Sequence, residues 1–414
     1  MKNAISRCRT LLLLVGSLCG ALGVSQAATI NATSCNVAAV SSAIDAAANG
    51  DTVVIPNGSC TWSSGISTSK QITIRGASVG GVTITHGAGS GTLLNLSVGS
   101  SSRTRVSNLR FMPGSGTGVY IDIGGSGLGP LMSDVYFNIP NFQLAHAVRW
   151  YVSGGVIWRA TFESTDNGGS DSGCLQVKGS IPWIAQSTMG VLDSGGTNNL
   201  YIEDSSFLNV GQCPDVDELA RVVVRRSKIV GSSGLTHGTT SYEGGRQVEL
   251  YDNTFTYPDQ NRNLNRYFWF RAGTAVITRN SVQQISGQMY GNKSSFVFAV
   301  ENAQRGSARG CCTGYMCFHQ PGSGGNGSTQ IAEPVYIWGN TGSGIQSVST
   351  NNGEPNTCNT GYSTDDFFKP NRDYFVENGG KPGYTSYQYP HPLTQGSAAP
   401  PAALLPAPVN LRVQ

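Results

Sequence analysis

Charge is scarce in this chain. Asp, Glu, Lys and Arg together make up 12% of its 414 residues. What charge there is nearly cancels. Lys2, Arg7 and Arg9 sit at the very start, and without these three the 27 basic residues fall to 24, against 24 acidic ones. The formal net charge of +3 therefore says nothing about an acidic partner, and no nucleic-acid partner is expected. Long apolar runs are missing after residue 24, so no later segment is long enough to span a bilayer as a helix. Helical periodicity is nearly absent through the middle of the chain, which argues against a helical fold. Disorder is excluded too, because 39% of the residues are hydrophobic and no compositional bias dominates.

What is present begins with a leader. Leu11 to Val24 is apolar, the basic residues precede it, and Ser25-Gln26-Ala27 offers a cleavage position. Residues 1–27 read as a secretory signal peptide, so the mature chain is expected to be secreted, extracellular or periplasmic. No membrane association is expected after its removal. Eight cysteines follow: Cys35, Cys60, Cys174, Cys213, Cys311, Cys312, Cys317 and Cys358. An even count in an exported chain favours disulfides. The expected pairs are Cys35 with Cys60 and Cys174 with Cys213, with the last four bonded among themselves. Zinc at Cys311, Cys312 and Cys317 is the rival reading, weakened because adjacent cysteines are poor zinc spacing.

Seven segments overlay on one another: VSNLRF, MSDVYF, IWRATF, IEDSSF, VVRRSKI, LYDNTF and ITRNSV. Their last residues are Phe111, Phe137, Phe162, Phe207, Ile229, Phe255 and Val282, spaced 26, 25, 45, 22, 26 and 27 apart. The gap of 45 reads as two turns. Five residues before each anchor stands an apolar residue, and three before it a polar one (Asn108, Asp134, Arg159, Asp204, Arg226, Asp252, Arg279). One such unit cannot bury an apolar face alone, whereas stacked units can. An ordinary β-sandwich would place turn signals closer together. The expected fold is all-β: a single-stranded right-handed parallel β-helix with a short N-terminal capping helix. Ser205, Ser227, Asn253 and Asn280, two before the anchor, suit tight corners and a stacked ladder. By the two-residue strand period, Trp158, Glu203, Arg221, Arg225, Gln247, Glu249 and Tyr251 point outward.

Flanking the coils, Val37, Val40, Ile44 and Ala47 have near-helical spacing and stop at Asn49-Gly50, the expected cap. Coils are expected from about 70 to 345, with an insertion at about 305–330. KPGYTSYQYPHPL (381–393) reads as an extended strap across a surface. The β-helix domain with cap and strap is placed at 28–395, and 396–414 is a Pro/Ala-rich linker. Its end, APVNLRV, resembles the first strand of a fibronectin type III module.

The densest chemistry lies at 213–271. Coil stacking puts Arg221 beside Gln247 and Arg225 beside Tyr251, about 4.8 Å apart. With Lys228 and Arg246 they make a basic stripe suited to an acidic sugar chain. β-Elimination on a uronate needs its carboxylate neutralised, a base for the C5 proton and stabilisation of the leaving oxygen. Lys228, His237 and Arg246 are the catalytic candidates. Each also has a structural reading: a solvated corner, a loop hydrogen bond, or pairing with Glu243 or Glu249. Arg221, Arg225, Glu249, Tyr267, Trp269 and Arg271 are the substrate-binding candidates. In the strand Tyr267–Arg271, Phe268 and Phe270 face the core, while Tyr267 and Trp269 offer ring faces to sugars or pack under the strap. Asp215, Asp217 and Glu218 carry hard oxygen ligands for calcium, or form an acidic loop beside Cys213.

AANGDTVVIPNG (47–58), KQITIRG (70–76) and the repeated N-T-F coils resemble the pectate-lyase-like superfamily over residues 36–345. The resemblance implies a right-handed parallel β-helix. Lys228, then L-T-H-G (235–238), then V-x-x-x-x-N-x-F (248–255) is similar to the chondroitinase B and alginate lyase branch, in which a lysine base precedes L-T-x-R-H-G. Thr236 stands where that branch has an arginine, and Arg246 is the substitute for it. What the resemblance implies is a polysaccharide lyase acting on an acidic polysaccharide; a monomer is expected. A β-helix glycoside hydrolase and a non-catalytic glycan-binding protein are the alternatives. Hydrolysis requires paired carboxylates, and the one Asp-Asp, Asp365-Asp366, lies in the tail.

Overall fold

A computed structural model describes residues 26–139, 146–165, 173–179, 192–211, 213–236, 244–257, 268–284, 298–300, 315–316, 320–325, 329–342, 348–350 and 369–395. Three long parallel sheets wind around one core. Sheet A has 12 strands, and sheets B and C have 10 each. Neighbours within a sheet come from successive coils, so the chain is a right-handed parallel β-helix. Eleven strand spacings along sheet A give a length of about 53 Å.

The repeat explains the geometry. The apolar residue five before each anchor falls on sheet A, where Val106, Met132, Ile157, Ile202, Val224, Leu250 and Ile277 form one buried column. The anchors fall on sheet B. Phe111, Phe137, Phe162 and Phe207 stack ring on ring, with centroids 5.4, 5.0 and 5.4 Å apart. Between the sheets, the polar residue of each repeat turns the corner in the left-handed region, with φ between 50° and 61° from Asn108 to Arg279. Asn and Asp tolerate that conformation best. The arginines there gain partners: Arg159 meets Asp134 at 2.7 Å, and Arg279 meets Asp252 at 2.8 Å.

Behind this corner runs the ladder expected at Ser205, Ser227, Asn253 and Asn280. The Ser205 amide donates to Ser227 Oγ (3.2 Å), the Ser227 amide to Asn253 Oδ1 (3.0 Å) and the Asn253 amide to Asn280 Oδ1 (3.1 Å). Each buried backbone donor that the corner strips of a strand partner is thereby satisfied.

Three details differ from expectation. Phe162 pairs directly with Phe207, so the gap of 45 residues is one coil with an insertion, not two turns. Its segment Asp193–Asn199 folds back towards sheet A. Strand pairing also outlasts residue 345: Tyr374–Val376 adds a last strand to sheet A. At the other end, Thr29–Asn31 pairs ahead of the first expected coil. Helix Val37–Ala46 lies beside these first strands, its start capped by Asn36, whose side chain accepts from the Ala39 amide at 2.9 Å. Disulfides join Cys35 to Cys60 and Cys174 to Cys213. Cys311, Cys312, Cys317 and Cys358 lie outside the described residues. No helix among the described residues is long and apolar enough to cross a membrane.

Candidate functional site

The outward stripe of sheet A is not an open groove. The strap at 381–395 lies along it, and the aromatic residues Tyr201 and Tyr251 with Leu131, Val156 and Val223 pack beneath Tyr387 and Leu393. Arg225 and Glu203 are fully buried there, 2.6 Å apart. Arg225 also donates to Tyr251 Oη (3.2 Å) and to the strap carbonyls of Tyr387 (2.8 Å) and Gln388 (2.9 Å). Glu203 accepts from the His391 amide at 3.1 Å. Glu249 accepts from Tyr384 Oη (2.6 Å), the Gly195 amide (2.8 Å) and Gln247 Nε2 (2.7 Å). Burial pushes both Glu203 and Glu249 above the usual carboxylate range, with Arg225 opposing for Glu203 and Tyr384 for Glu249. Arg225 and Glu249 do face outward, as the alternation requires, but the strap and the 193–199 segment occupy them.

Arg221 and Arg246 lie at the far edge of sheet A, where it turns from sheet C. Arg246 is buried and grips Glu333 with two hydrogen bonds of 2.5 and 3.0 Å, while Glu243 lies outside the described residues. With Lys178, Ser153, Gly154 and Asn198, the two arginines line a cavity of about 40 Å³. Lys228 is elsewhere. It is exposed at the corner between sheets A and B, in an open depression of about 420 Å³ also lined by Asp204, Arg226, Ser227, Asp252 and Thr254. The whole strand Arg221–Arg225, roughly 16 Å long, separates the two edges. Lys228 and Arg246 are therefore not brought together. His237 and Tyr267 lie outside the described residues.

Sheet C carries a second outward strip. Its centre residues Ile123, Trp150, Val177, Val216, Thr236 and Phe270 point inward in one register. Their neighbours point out, and one outward row runs Asp122, Arg149, Gln176, Asp215, Leu235, Trp269. Tyr151, Lys178 and Asp217 follow two residues further along their strands. The row spans five strand spacings, about 24 Å. Polar contacts knit it together. Tyr151 Oη donates to Gln176 Oε1 (2.5 Å), and Gln176 Nε2 donates to Asp217 Oδ2 (3.2 Å). His146 Nε2 meets Asp215 Oδ2 at 3.2 Å, and Arg149 meets Asp122 at 3.5 Å. Lys178 Nζ donates to Glu218 Oε1 at 2.7 Å and lies 5.7 Å from the centre of the Tyr151 ring.

Burial alone would lower the Lys178 ammonium, but the hydrogen bond and charge of Glu218 carry it above the usual lysine value. It is a fixed cation near neutral pH. Burial pushes the Tyr151 phenol up, against the pull of Arg149 and Lys178, so it stays protonated there.

Phe268 and Phe270 join the core as expected, while Trp269 faces out, half-buried, with the Arg271 guanidinium 4.4 Å from its ring centre. The strap packs on sheet A. Thr236, where the resembling branch has an arginine, points inward. Its Oγ1 accepts from the Arg271 amide at 2.8 Å.

Asp215, Asp217 and Glu218 engage His146, Gln176 and Lys178 respectively. Three carboxylates with three separate partners do not form a calcium cage, which needs six or more oxygens converging on one point. Among the described residues no group of three or more His, Cys, Asp or Glu side chains is placed to hold a metal ion.

Tyr151, Lys178, His146 and Arg149 escaped the sequence reading. The signal was there, in V-R-W-Y and L-Q-V-K, each an alternating strand with polar outward residues.

No family model matches this chain, and no curated protein matches it. Two solved structures are similar to it. One is the PL6 family alginate lyase AlyGC, at 13% identity and a TM-score of 0.36, covering 66% of this chain and 38% of that one. The other is an alginate lyase from Paenibacillus sp. str. FPU-7, at 14% identity and a TM-score of 0.32, covering 66% of this chain and 97% of that one. The chain thus spans well under two thirds of the length of the first.

Proposed function

We propose that this is an exported carbohydrate-active protein, a polysaccharide lyase that cleaves a uronate-containing chain by β-elimination on the outward strip of sheet C. The observation that carries the reading is the neighbourhood of Tyr151 and Lys178. A cation held protonated by Glu218 lies beside a phenol held neutral by burial, with Arg149 in the adjoining row.

Elimination breaks the C5–H and C4–O bonds and forms a C4–C5 double bond. Removing the C5 proton leaves negative charge spread into the C6 carboxylate. Lys178 and Arg149 are the groups to stabilise that charge, in a half-buried site where water screens them less. The Tyr151 hydroxyl is the acid for the departing O4 oxygen. Among the described residues His146, with its Nε2 3.2 Å from Asp215 Oδ2, is placed to be the base. Trp269 with Arg271 offers a sugar ring a flat face and its carboxylate a guanidinium. This assignment moves the chemistry from Lys228 and Arg246 to sheet C, because those two stand at opposite edges of sheet A.

Incubation with pectate, alginate, glucuronan and glycosaminoglycans tests it. The expected outcome is absorbance from the unsaturated uronate product on at least one polymer. New reducing ends without that absorbance make the protein a hydrolase. Retained binding with neither product makes it a glycan-binding protein.

A further inference from the structure

Beside the reacting centre, sheet C has an outward position with no side chain. Trp150 pairs with Val177 on one side and with Ile123 on the other, so the residues that follow these three, Tyr151, Lys178 and Gly124, form one outward row. The Tyr151 amide donates to the Ile123 carbonyl at 2.8 Å, which holds that register. Ser97 pairs with Gly124 and extends the row by one strand. A glycine inside a strand weakens it, and marks a bulge, a bend or the close approach of another group. Pairing of Ile121–Gly125 with Leu94–Val98 is unbroken, so there is no bulge on that side. Gly124 is not in the left-handed region, and a side-chain carbon built on it would meet nothing within 4 Å. Neither backbone nor packing requires this glycine. What it provides is open space next to Tyr151.

The two sides of the reacting centre differ. On the strand beyond Lys178, the outward Asp215 and Asp217 are 1% and 5% exposed. On the other side of Tyr151 come Gly124 and then Asn95 and Ser97, both outward and exposed. Elimination divides the substrate between these sides. The C5 proton and the carboxylate belong to the reacting uronate, which needs His146, Lys178 and Arg149. The C4–O4 bond breaks, and O4 leaves with the neighbouring sugar unit and takes the Tyr151 proton. That unit lies on the open side of Tyr151, away from Lys178.

We propose that Gly124 is the floor of the subsite for the leaving sugar unit, and that Asn95 and Ser97 hydrogen-bond its hydroxyls. Gly124 stands two strand spacings from Lys178, about 10 Å, a length that two linked sugar rings span. The subsite recognises its sugar by space and by hydroxyl groups, since Gly124, Asn95 and Ser97 carry no charge. It rests on the elimination reading for the polymer and for the side that the leaving unit takes.

The test is retardation of the full chain in native gels containing pectate, alginate or glucuronan, beside melting temperatures. At least one polymer is expected to retard the parent. Gly124→Leu fills the floor and is expected to weaken that binding about tenfold or more, with an unchanged melting temperature. Gly124→Ala is expected to weaken it less. Asn95→Ala combined with Ser97→Ala removes two exposed hydrogen-bonding groups, and about a tenfold loss is expected from the pair. If Gly124→Leu melts well below the parent, this second variant decides. A parent that no polymer retards overturns the subsite, as does unchanged binding in a well-folded Gly124→Leu or in the double variant.

Polymer cleavage is followed separately by unsaturated-uronate absorbance. Cleavage with unchanged kcat/KM in Gly124→Leu removes the subsite and keeps the elimination reading. Binding that depends on Gly124, in a chain that cleaves no polymer, keeps a sugar subsite there and removes the elimination reading.

Discussion

On sheet A the outward residues include Trp158, Tyr201, Glu203, Arg225, Glu249 and Tyr251. On sheet C they include Arg149, Tyr151, Gln176, Lys178, Asp217 and Trp269. Both faces mix aromatic rings, cations and carboxylates, and from composition either suits a glycan. Their surroundings separate them. On sheet A the guanidinium of Arg225 is filled by Glu203, Tyr251 and two strap carbonyls, and the carboxylate of Glu249 by three donors from 195, 247 and 384. On sheet C the Lys178–Glu218 pair keeps about a fifth of each side chain exposed. Polar groups whose bonds are all made inside the protein serve the fold. Polar groups that keep part of their surface are available for a ligand.

The largest expected effect breaks the buried side of this comparison. Arg225→Met leaves the Glu203 carboxylate buried without its cation, which typically costs about 3–5 kcal/mol. The expected readout is a large fall in melting temperature, with proteolytic cleavage appearing in the strap. Adding Glu203→Gln is expected to recover part of the loss. A variant melting like the parent would mean that the pair does not hold the strap.

Next is Lys178→Met on the other face. Its ion pair keeps only about a fifth of each side chain exposed and contributes about 1 kcal/mol to stability, so the melting temperature should move far less than in Arg225→Met. Removing a group that acts on the reacting unit should cut the rate about 10²–10⁴-fold. Steady-state absorbance assays check this. Normal turnover would move the reaction away from sheet C.

A smaller effect comes from pH. Burial and the nearby arginines Arg225 and Arg103 push His391 down to about 4 from 6.5. A depressed histidine stabilises the fold above pH 6.5, and that stability is lost as pH falls towards 4, up to about 3 kcal/mol in all. Glu203 and Glu249 act in the opposite sense, since raised carboxylates favour the folded state as they protonate. His391→Asn is expected to flatten the fall in melting temperature between pH 6.5 and 4. An identical fall in the variant would assign the acid sensitivity elsewhere.

The smallest effect is expected from a chelator. Asp215, Asp217 and Glu218 each have a separate protein partner, so elimination activity and melting temperature should stay unchanged. Activity lost in chelator and restored by calcium would make these carboxylates metal ligands.

Most of the fold was legible because it repeats. A column of Val, Met, Ile and Leu at one offset, Phe at another and a polar corner between them define two sheets, their register and even the Ser/Asn ladder. The helix at 37–46 and the strap at 381–393 were legible from spacing and composition. Sheet C was not. Its inward residues Ile123, Trp150, Val177, Val216, Thr236 and Phe270 are spaced 27, 27, 39, 20 and 34 apart, because the coils' insertions fall on either side of it. The same irregularity made one long coil between Phe162 and Phe207 look like two turns.

The sequence by itself therefore determined which residues face in and which face out, since alternation is a local property of the strand. Only the tertiary structure decided which outward residues are covered. Whether Arg225 meets a glycan or the carbonyls of Tyr387 and Gln388 depends on contacts between residues more than 160 positions apart. The gathering of Lys178, Arg221 and Arg246 around one cavity depends likewise on how successive coils stack. Such contacts follow from the closure of the whole helix, and no short-range period encodes them.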